Sequence, residues 1–109
     1  MNQQAVPATA AARGRVAPVK LAHIVFRTSQ KDTLVNWYRT VLEAEVALAN
    51  PFLTFLTFDD EHHRIAIVGM PGLETPRQPA VGLEHFAFTY ASLGDLLATY
   101  ERLRSAGIL

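Results

Sequence analysis

Alternation of side chains along residues 19–27 predicts the first β-strand. Leu21, His23 and Val25 fall on one face of this strand, and the residues between them fall on the other. A helical period follows and predicts a helix over residues 30–43, with an apolar stripe of Leu34, Trp37, Tyr38, Val41 and Leu42. This stripe is expected to cover the face of Ile24 and Phe26, so that His23 points away from the helix. Ser29 and Asp32 have the spacing of a capping box at the helix start.

Three further strands are predicted before a proline-rich linker. Residues 45–49 form a short candidate strand, and residues 52–58 are β-rich with apolar side chains on both faces, which predicts a central strand. After an acidic turn at residues 59–61, residues 63–68 return as a strand on which His63 would share a face with Ile65 and Ile67. Residues 71–80 hold three prolines and a glycine and are predicted to be a linker.

A second copy of the first strand and helix begins at residue 81. Leu-Glu-His-Phe-Ala-Phe at 83–88 repeats Leu-Ala-His-Ile-Val-Phe at 21–26 with an offset of 62 residues. The repeat predicts a strand from Val81 to Tyr90 and then a helix, with Ser92 and Asp95 as its capping box and Gly107 at its C-terminus. A full second copy needs more strands than remain before Leu109.

The predicted fold class is therefore α+β, with a βαβββ module followed by the βα start of a second, incomplete copy. Residues 1–18 are rich in Ala, Pro and Gln and are predicted to be a disordered arm. Residues 19–109 form the predicted domain, which divides into a first module at 19–70, the linker at 71–80 and a partial second module at 81–109.

Composition narrows the classes of partner. The chain has 109 residues, ten acidic and ten basic, and no basic stripe of the kind that neutralises phosphates, so nucleic acid is not expected as a partner. The absence of cysteine excludes disulfides and thiolate metal sites. No apolar run has the length of a membrane helix, and no apolar segment follows a basic start, so we predict no membrane partner and a cytoplasmic location.

His23 and His85 occupy the same place in the two copies, each on the face away from its helix. If the two units pair about a pseudo-twofold axis, both imidazoles can point into one cavity and bind a divalent transition metal. Such a site commonly needs a third ligand, often a carboxylate. The alternative is that each histidine is buried and hydrogen-bonded to the backbone.

The doubled strand-helix-three-strand unit, with a histidine on the first strand of each copy, resembles the vicinal oxygen chelate superfamily. That group contains glyoxalases, bleomycin-resistance proteins and extradiol dioxygenases. Residues 58–67, Phe-Asp-Asp-Glu-His-His-Arg-Ile-Ala-Ile, are most similar to the extradiol branch. The resemblance implies an enzyme that uses Fe(II) and O2 to cleave the ring of a catechol-type aromatic substrate, with His23 and His85 as metal ligands. Mn(II), Zn(II) or Ni(II), or no metal at all, are the alternatives.

The glutamate ligand of the extradiol branch would lie beyond Leu109. The resemblance therefore implies a dioxygenase only if further C-terminal strands complete the second module. Two other branches stay open. A glyoxalase-like metal lyase usually has a carboxylate on the fourth strand of the first unit, and residues 63–68 contain no acid. A module of the bleomycin-resistance type would bind a small planar ligand without catalysis.

His62 and His63 follow the acidic turn and are the remaining candidates for chemistry. One of them, His63, is the candidate catalytic residue, because an imidazole can transfer protons near neutral pH. A solvated hairpin end is the alternative, and strand alternation would let only one of the two face a cavity. Trp37 and Tyr38 are expected to pack in the core. Finally, the open edge of residues 81–90 favours pairing with another chain, which predicts a homodimer.

Overall fold

The computed structural model describes residues 14–109. Its elements are β1 (Ile24–Thr28), α1 (Lys31–Leu42), β2 (Glu45–Ala49), β3 (Leu53–Thr57), β4 (Ile65–Gly69) and α2 (Leu93–Ser105). The α+β class and the order of the first five elements are as predicted. Neither helix in this part of the chain is long and apolar enough to cross a membrane. Residues 1–13 of the predicted N-terminal arm lie outside the described residues.

The four strands form one sheet in the order β1-β4-β3-β2. β1 runs parallel to β4, with Ile24 opposite Ile65, while β3 is antiparallel to both β4 and β2. A register shift between Val46 and Leu48 interrupts the β2–β3 ladder. β3 therefore has neighbours on both sides, which confirms the central position that its two apolar faces predicted.

The core lies between α1 and one face of the sheet. Leu56 and Ile67 have no exposed surface and Ile65 has 1 %, and all three pack with Val35 and Tyr38 of α1. Burial of each such side chain contributes about 1.5–3 kcal/mol relative to leaving it in water. Phe26 lies on the same face of the sheet and stacks on Tyr38 with ring centroids 5.7 Å apart. The predicted covering of the Ile24 and Phe26 face by the helix is confirmed.

The two helices begin differently. The capping box predicted at Ser29 and Asp32 is wrong, because α1 has Gln30 as its N-cap and no side-chain cap, and the Gln30 N–H donates instead to Thr28 Oγ1 at 3.0 Å. At α2, Ser92 is the N-cap and its hydroxyl accepts the Asp95 N–H at 3.1 Å, as half of a capping box requires.

The end of α2 at Gly107 agrees with the prediction. Gly107 has a φ of 78°, a conformation that a residue without a Cβ adopts without strain. The Gly107 N–H donates to the Arg104 carbonyl, and the Ile108 N–H donates to the Leu103 carbonyl. This pair of bonds is the Schellman arrangement that closes a helix.

The strand predicted from Val81 to Tyr90 does not form. Residues 81–90 belong to no strand of the described sheet, and Val81 and Leu83 are largely exposed. A strand exists only where a neighbour takes up its backbone hydrogen bonds, and in residues 14–109 no neighbouring strand does so for this segment. Aromatic side chains attach the segment to the first unit instead, with Phe86 on Phe26 at 5.7 Å and Phe88 on Phe58 at 5.6 Å.

Candidate functional site

His23 and His63 lie against each other at one end of the sheet. Their ring centroids are 4.2 Å apart and their planes are inclined by 39°. His23 directly precedes β1, and His63 is separated from the start of β4 by Arg64 alone. Because β1 and β4 are parallel neighbours that start in register at Ile24 and Ile65, the residues before them meet at the same edge. The predicted placement of His23 within the first strand is thus corrected, since the strand begins one residue later.

His63 lies on the face of the sheet opposite α1. Its ring stacks on that of Phe55, with centroids 4.1 Å apart and planes 7° apart. Phe55 pairs with Ala66, whereas the neighbouring pair Leu56 and Ile65 faces the helix. The prediction that His63 shares a face with Ile65 and Ile67 is wrong, because strand alternation applies only from Ile65 onward.

His62 also belongs to this cluster. Its Nδ1 atom lies 2.9 Å from Nδ1 of His63, so one ring nitrogen donates a proton and the other accepts it. The His62 ring meets Phe55 edge-on at 5.4 Å. Both histidines therefore contact the same aromatic ring, contrary to the expectation that adjacent residues point to opposite faces. The reason is that residues 62 and 63 lie in the connection before β4 and not in a strand.

The surroundings of His63 lower its pKa below the usual value of 6.5. Burial is the largest cause, since it disfavours the charged ring, and repulsion from His23 and His62 adds to it, while Glu61 acts in the opposite direction. His63 is therefore neutral near pH 7, and a neutral imidazole can accept a proton through one nitrogen.

The acidic turn before His62 is an ion-pair network. The Arg64 guanidinium donates from Nε and Nη2 to Asp59, and Lys20 pairs with Glu61. The hydrogen bond from Arg64 lowers the pKa of Asp59, and the bond from Lys20 lowers that of Glu61. Arg64 Nη1 also donates to the carbonyls of Leu21 and Ala22, at 2.8 and 2.9 Å. Through these cations, the two carboxylates hold the turn against the segment that precedes His23.

A cavity of about 260 Å³ opens beside His23. It lies between residues 21–24 of the first unit and residues 86–89 of the second. Its walls combine aromatic side chains with the ion pair, namely Phe58, Phe86, Phe88, Asp59 and Arg64. The volume lies just below the ~300–1,000 Å³ of typical small-molecule pockets, and the mixed lining is of the usual kind.

His85 is exposed and does not line this cavity. None of the contacts found among the described residues joins its ring to His23, so convergence of the two repeated histidines stays a prediction. Within residues 14–109 no three His, Cys, Asp or Glu side chains are grouped so that they could hold a metal ion. The donor chemistry of two imidazoles suits iron, zinc or nickel, but the set is incomplete without another ligand.

Sequence reasoning missed two parts of the site. Phe55 was one of several aromatic residues on an apolar strand, and nothing local marked it as the stacking partner of His63. Arg64 follows the two histidines directly, but its contacts with residues 21 and 22 cross more than 40 positions of sequence. Tyr38 is buried in the core as expected, whereas Trp37 is 45 % exposed.

Comparison with known proteins identifies relatives. Residues 20–109 match the sequence model of the glyoxalase/bleomycin resistance protein/dioxygenase superfamily. The chain is 48 % identical over 93 residues to biphenyl-2,3-diol 1,2-dioxygenase 2 of Rhodococcus globerulus, which covers 84 % of this chain and 49 % of that protein. It is 50 % identical over 91 residues to biphenyl-2,3-diol 1,2-dioxygenase 3 of the same organism, and this alignment covers 82 % of this chain and 48 % of that protein. The chain thus spans about half the length of these relatives.

A solved structure has a similar fold. The crystal structure of lactoylglutathione lyase from Agrobacterium tumefaciens aligns with a TM-score of 0.60 and 19 % sequence identity. The alignment covers 83 % of this chain and 72 % of that one. At this level of identity the likeness concerns the fold alone.

Proposed function

The chain belongs to the glyoxalase/bleomycin resistance protein/dioxygenase superfamily. We propose that it functions as an extradiol-type dioxygenase, which cleaves a catechol-type aromatic ring. The observation that carries the proposal is the packing of His23 against His63 beside an aromatic-lined cavity. Two relatives that share about half of its residues over the aligned length are named as dioxygenases of biphenyl-2,3-diol, an aromatic compound with two neighbouring hydroxyl groups.

In this proposal His23 and His85 are two ligands of an Fe(II) ion, and a carboxylate outside residues 14–109 completes the set. Two histidines and one carboxylate on one side of the metal are typical of non-haem iron oxygenases. When bound, such a metal supplies Lewis-acid polarisation and a template that orients an aromatic diol and O2. Segment 81–90 is then part of a completed sheet that brings His85 towards His23.

His63 is the proposed acid–base residue. Its lowered pKa keeps the ring neutral near pH 7, ready to accept the proton of a substrate hydroxyl. Nδ1 faces His62, so Nε2 is the nitrogen left for the substrate. Stacking on Phe55 holds the plane of the ring and covers one of its faces. The cavity is lined by His23 and not by His63, and its aromatic walls suit the ring of an aromatic substrate.

The test is anaerobic loading of the protein with Fe(II), addition of 2,3-dihydroxybiphenyl and then O2, and measurement of O2 uptake with loss of the diol. We expect His23→Ala to abolish both iron binding and turnover. His63→Gln is expected to keep iron binding and lower turnover by about 10²–10⁴-fold, the usual contribution of general acid–base catalysis. His62→Gln keeps a hydrogen-bonding side chain beside His63 Nδ1, so it is the matched control and should retain iron and most turnover. Full turnover in His63→Gln would contradict the assignment of His63.

A metal-free binding module is the second candidate function. It is supported by the cavity between residues 21–24 and residues 86–89. Such a module would bind a planar aromatic molecule between the two units. In that case His23→Ala leaves the affinity for a fluorescent aromatic probe nearly unchanged, whereas in the enzyme it removes metal affinity.

As an alternative to completion of the sheet by further strands of the same chain, we propose a homodimer in which residues 81–90 pair with another copy. A segment with strand-like sequence and no strand partner in the described chain exposes backbone groups that a second chain can bond. Light scattering at working concentration should give twice the mass of one chain, and a monomer would contradict this. The cytoplasmic location stays a prediction.

A further inference from the structure

We infer that Arg64 is a positioning residue that sets the backbone at His23, an inference that rests on the proposed role of His23 as a metal ligand. Arg64 lies directly after His63 in the chain. It bonds to the peptide groups on both sides of His23, through its own backbone on one side and its guanidinium on the other. The neighbour of the proposed acid–base residue His63 thereby holds the backbone on both sides of His23.

The backbone contacts connect His23 to the interior of the sheet. The Ile24 N–H donates to the Arg64 carbonyl at 3.0 Å, and the Arg64 N–H donates to the Leu56 carbonyl at 2.8 Å. Leu56 is fully buried on the central strand. The peptide that follows His23 is therefore connected through Arg64 to a fully buried residue of the close-packed core.

The side-chain contacts hold the peptide that precedes His23. Arg64 Nη1 donates to the Ala22 carbonyl at 2.9 Å, and this carbonyl belongs to the same planar peptide as the His23 N–H. The same nitrogen donates to the Leu21 carbonyl at 2.8 Å. With the planes on both sides held, the two backbone dihedrals of His23 are restricted, and so is the direction of its Cα–Cβ bond.

Asp59 holds the guanidinium in the orientation that these contacts need. Its carboxylate accepts from Arg64 Nε at 3.0 Å and from Nη2 at 2.9 Å, which leaves Nη1 to reach the two carbonyls. The planar guanidinium donates to the Asp59 carboxylate and to the two carbonyls at once. A lysine ammonium does not have this geometry, so lysine is not an equivalent residue here. The Arg64 side chain is 17 % exposed, which limits competition from water.

This contact is needed because His23 lies outside β1 and is exposed. Hydrogen bonds of the β1–β4 ladder begin only at the next residue. A metal ligand must be held to within roughly half an ångström of its productive position, and supporting hydrogen bonds usually provide that precision. Arg64 provides it from the connection directly before β4, which also contains His63.

The first test uses amide hydrogen exchange without metal. We compare Arg64→Met, Arg64→Lys and Asp59→Asn with Arg27→Met, which removes an exposed arginine of β1. In Arg64→Met the Ile24 amide should exchange at least about tenfold faster relative to core amides of β3 and β4, given the strength of hydrogen bonds to charged groups. Arg64→Lys and Asp59→Asn should give smaller increases, and Arg27→Met none. Parallel acceleration of all amides, or none at Ile24, overturns the inference.

The second test measures affinity for cobalt(II) by its absorption spectrum. Loss of a residue that orients a ligand typically weakens metal binding by about 10–100-fold, and we expect this in Arg64→Met with partial recovery in Arg64→Lys. Affinity that is unchanged in Arg64→Met, in a protein that loses binding in His23→Ala, overturns the inference. If His23→Ala has no effect on cobalt(II), the proposed metal site is wrong, and the exchange experiment still decides whether Arg64 sets the backbone at His23.

Discussion

The ring of His63 stacks on the ring of Phe55 with centroids 4.1 Å apart and planes within 7° of parallel. The contact joins a residue of the connection before β4 to the middle of the central strand β3. It covers one face of the imidazole, and burial is the main cause of the lowered pKa of His63. Phe55 therefore influences both the orientation and the protonation of the proposed acid–base group.

Replacement of Phe55 by leucine should raise the pKa of His63 towards 6.5, because the smaller side chain lets water reach the ring. The lost stacking should also cost about 0.5–1.5 kcal/mol of stability beyond the lost buried area. NMR titration of the His63 ring proton and urea unfolding measure the two effects. Phe52→Leu is the matched control, since Phe52 is 72 % exposed. An unchanged His63 titration in Phe55→Leu would show that Phe55 does not shield it.

The Asp59–Arg64 ion pair should make stability depend on acid pH. The folded-state pKa of Asp59 is lower than its ordinary value of 3.8, chiefly because of the hydrogen bond from Arg64. The stabilisation from this pair is fully present above pH 3.8 and is lost as the pH falls from there through the lower folded-state pKa.

Urea unfolding across this acidic range measures the dependence. Asp59→Asn should be less stable than the parent near neutral pH and should lose less stability on acidification. Asp60→Asn removes a charge from the same turn but leaves the hydrogen bonds between Asp59 and Arg64 intact. This variant should show the same dependence of stability on pH as the parent. Identical slopes for the parent and Asp59→Asn would mean that other carboxyl groups govern the acid response.

Leu56 should be the most sensitive core position on the central strand. It has no exposed surface and packs against Val35, Tyr38 and Ile65. Leu56→Ala removes buried methyl groups and leaves a cavity, so a loss of about 2–5 kcal/mol is expected. Val46→Ala, on the neighbouring strand but 42 % exposed, should cost much less. Equilibrium unfolding in urea compares the two, and equal losses would contradict this description of the core.

Arg102 connects the second helix to the first unit. Its guanidinium donates to the carbonyls of Thr40 and Val41 in the last turn of α1, and it pairs with Glu43. These carbonyls lack partners within their own helix, and a cation there also interacts favourably with the helix dipole. Arg102→Met should therefore loosen α2 while the sheet stays intact.

The expected result for Arg102→Met is faster amide exchange throughout α2, with little change in β3 and β4. Hydrogen bonds that involve a charged group contribute about 1.5–3 kcal/mol when well buried, and the partial exposure of Arg102 reduces this value. Arg104→Met is the control, because Arg104 pairs with Glu101 in its own helix. If both variants exchange alike, Arg102 does not hold the two units together.

Local pattern was sufficient for the type and order of the elements of the first unit, although β1 spans Ile24–Thr28 and not the predicted residues 19–27. The bounds of β2 were predicted as Glu45–Ala49 and agree residue for residue, and α1 differs by one residue at each end. Apolar side chains on both faces of residues 52–58 correctly predicted a central strand. These features depend on periodicity within about a dozen residues, which the physics of helices and strands makes visible in a sequence.

The repeat of 62 residues marked His23 and His85, and residues 58–67 marked His62 and His63, so the sequence by itself identified the residue types of the site and its family resemblance. The sequence also predicted that His23 points away from α1. Only the tertiary structure decided that His63 lies on that same face and meets His23, and that Arg64 and Phe55 support the two histidines. The parallel pairing of β1 with β4 joins residues about 40 positions apart, and no local period encodes such a contact. The strand expected at residues 81–90 failed for the same reason, because a strand depends on a neighbour that its own sequence does not contain.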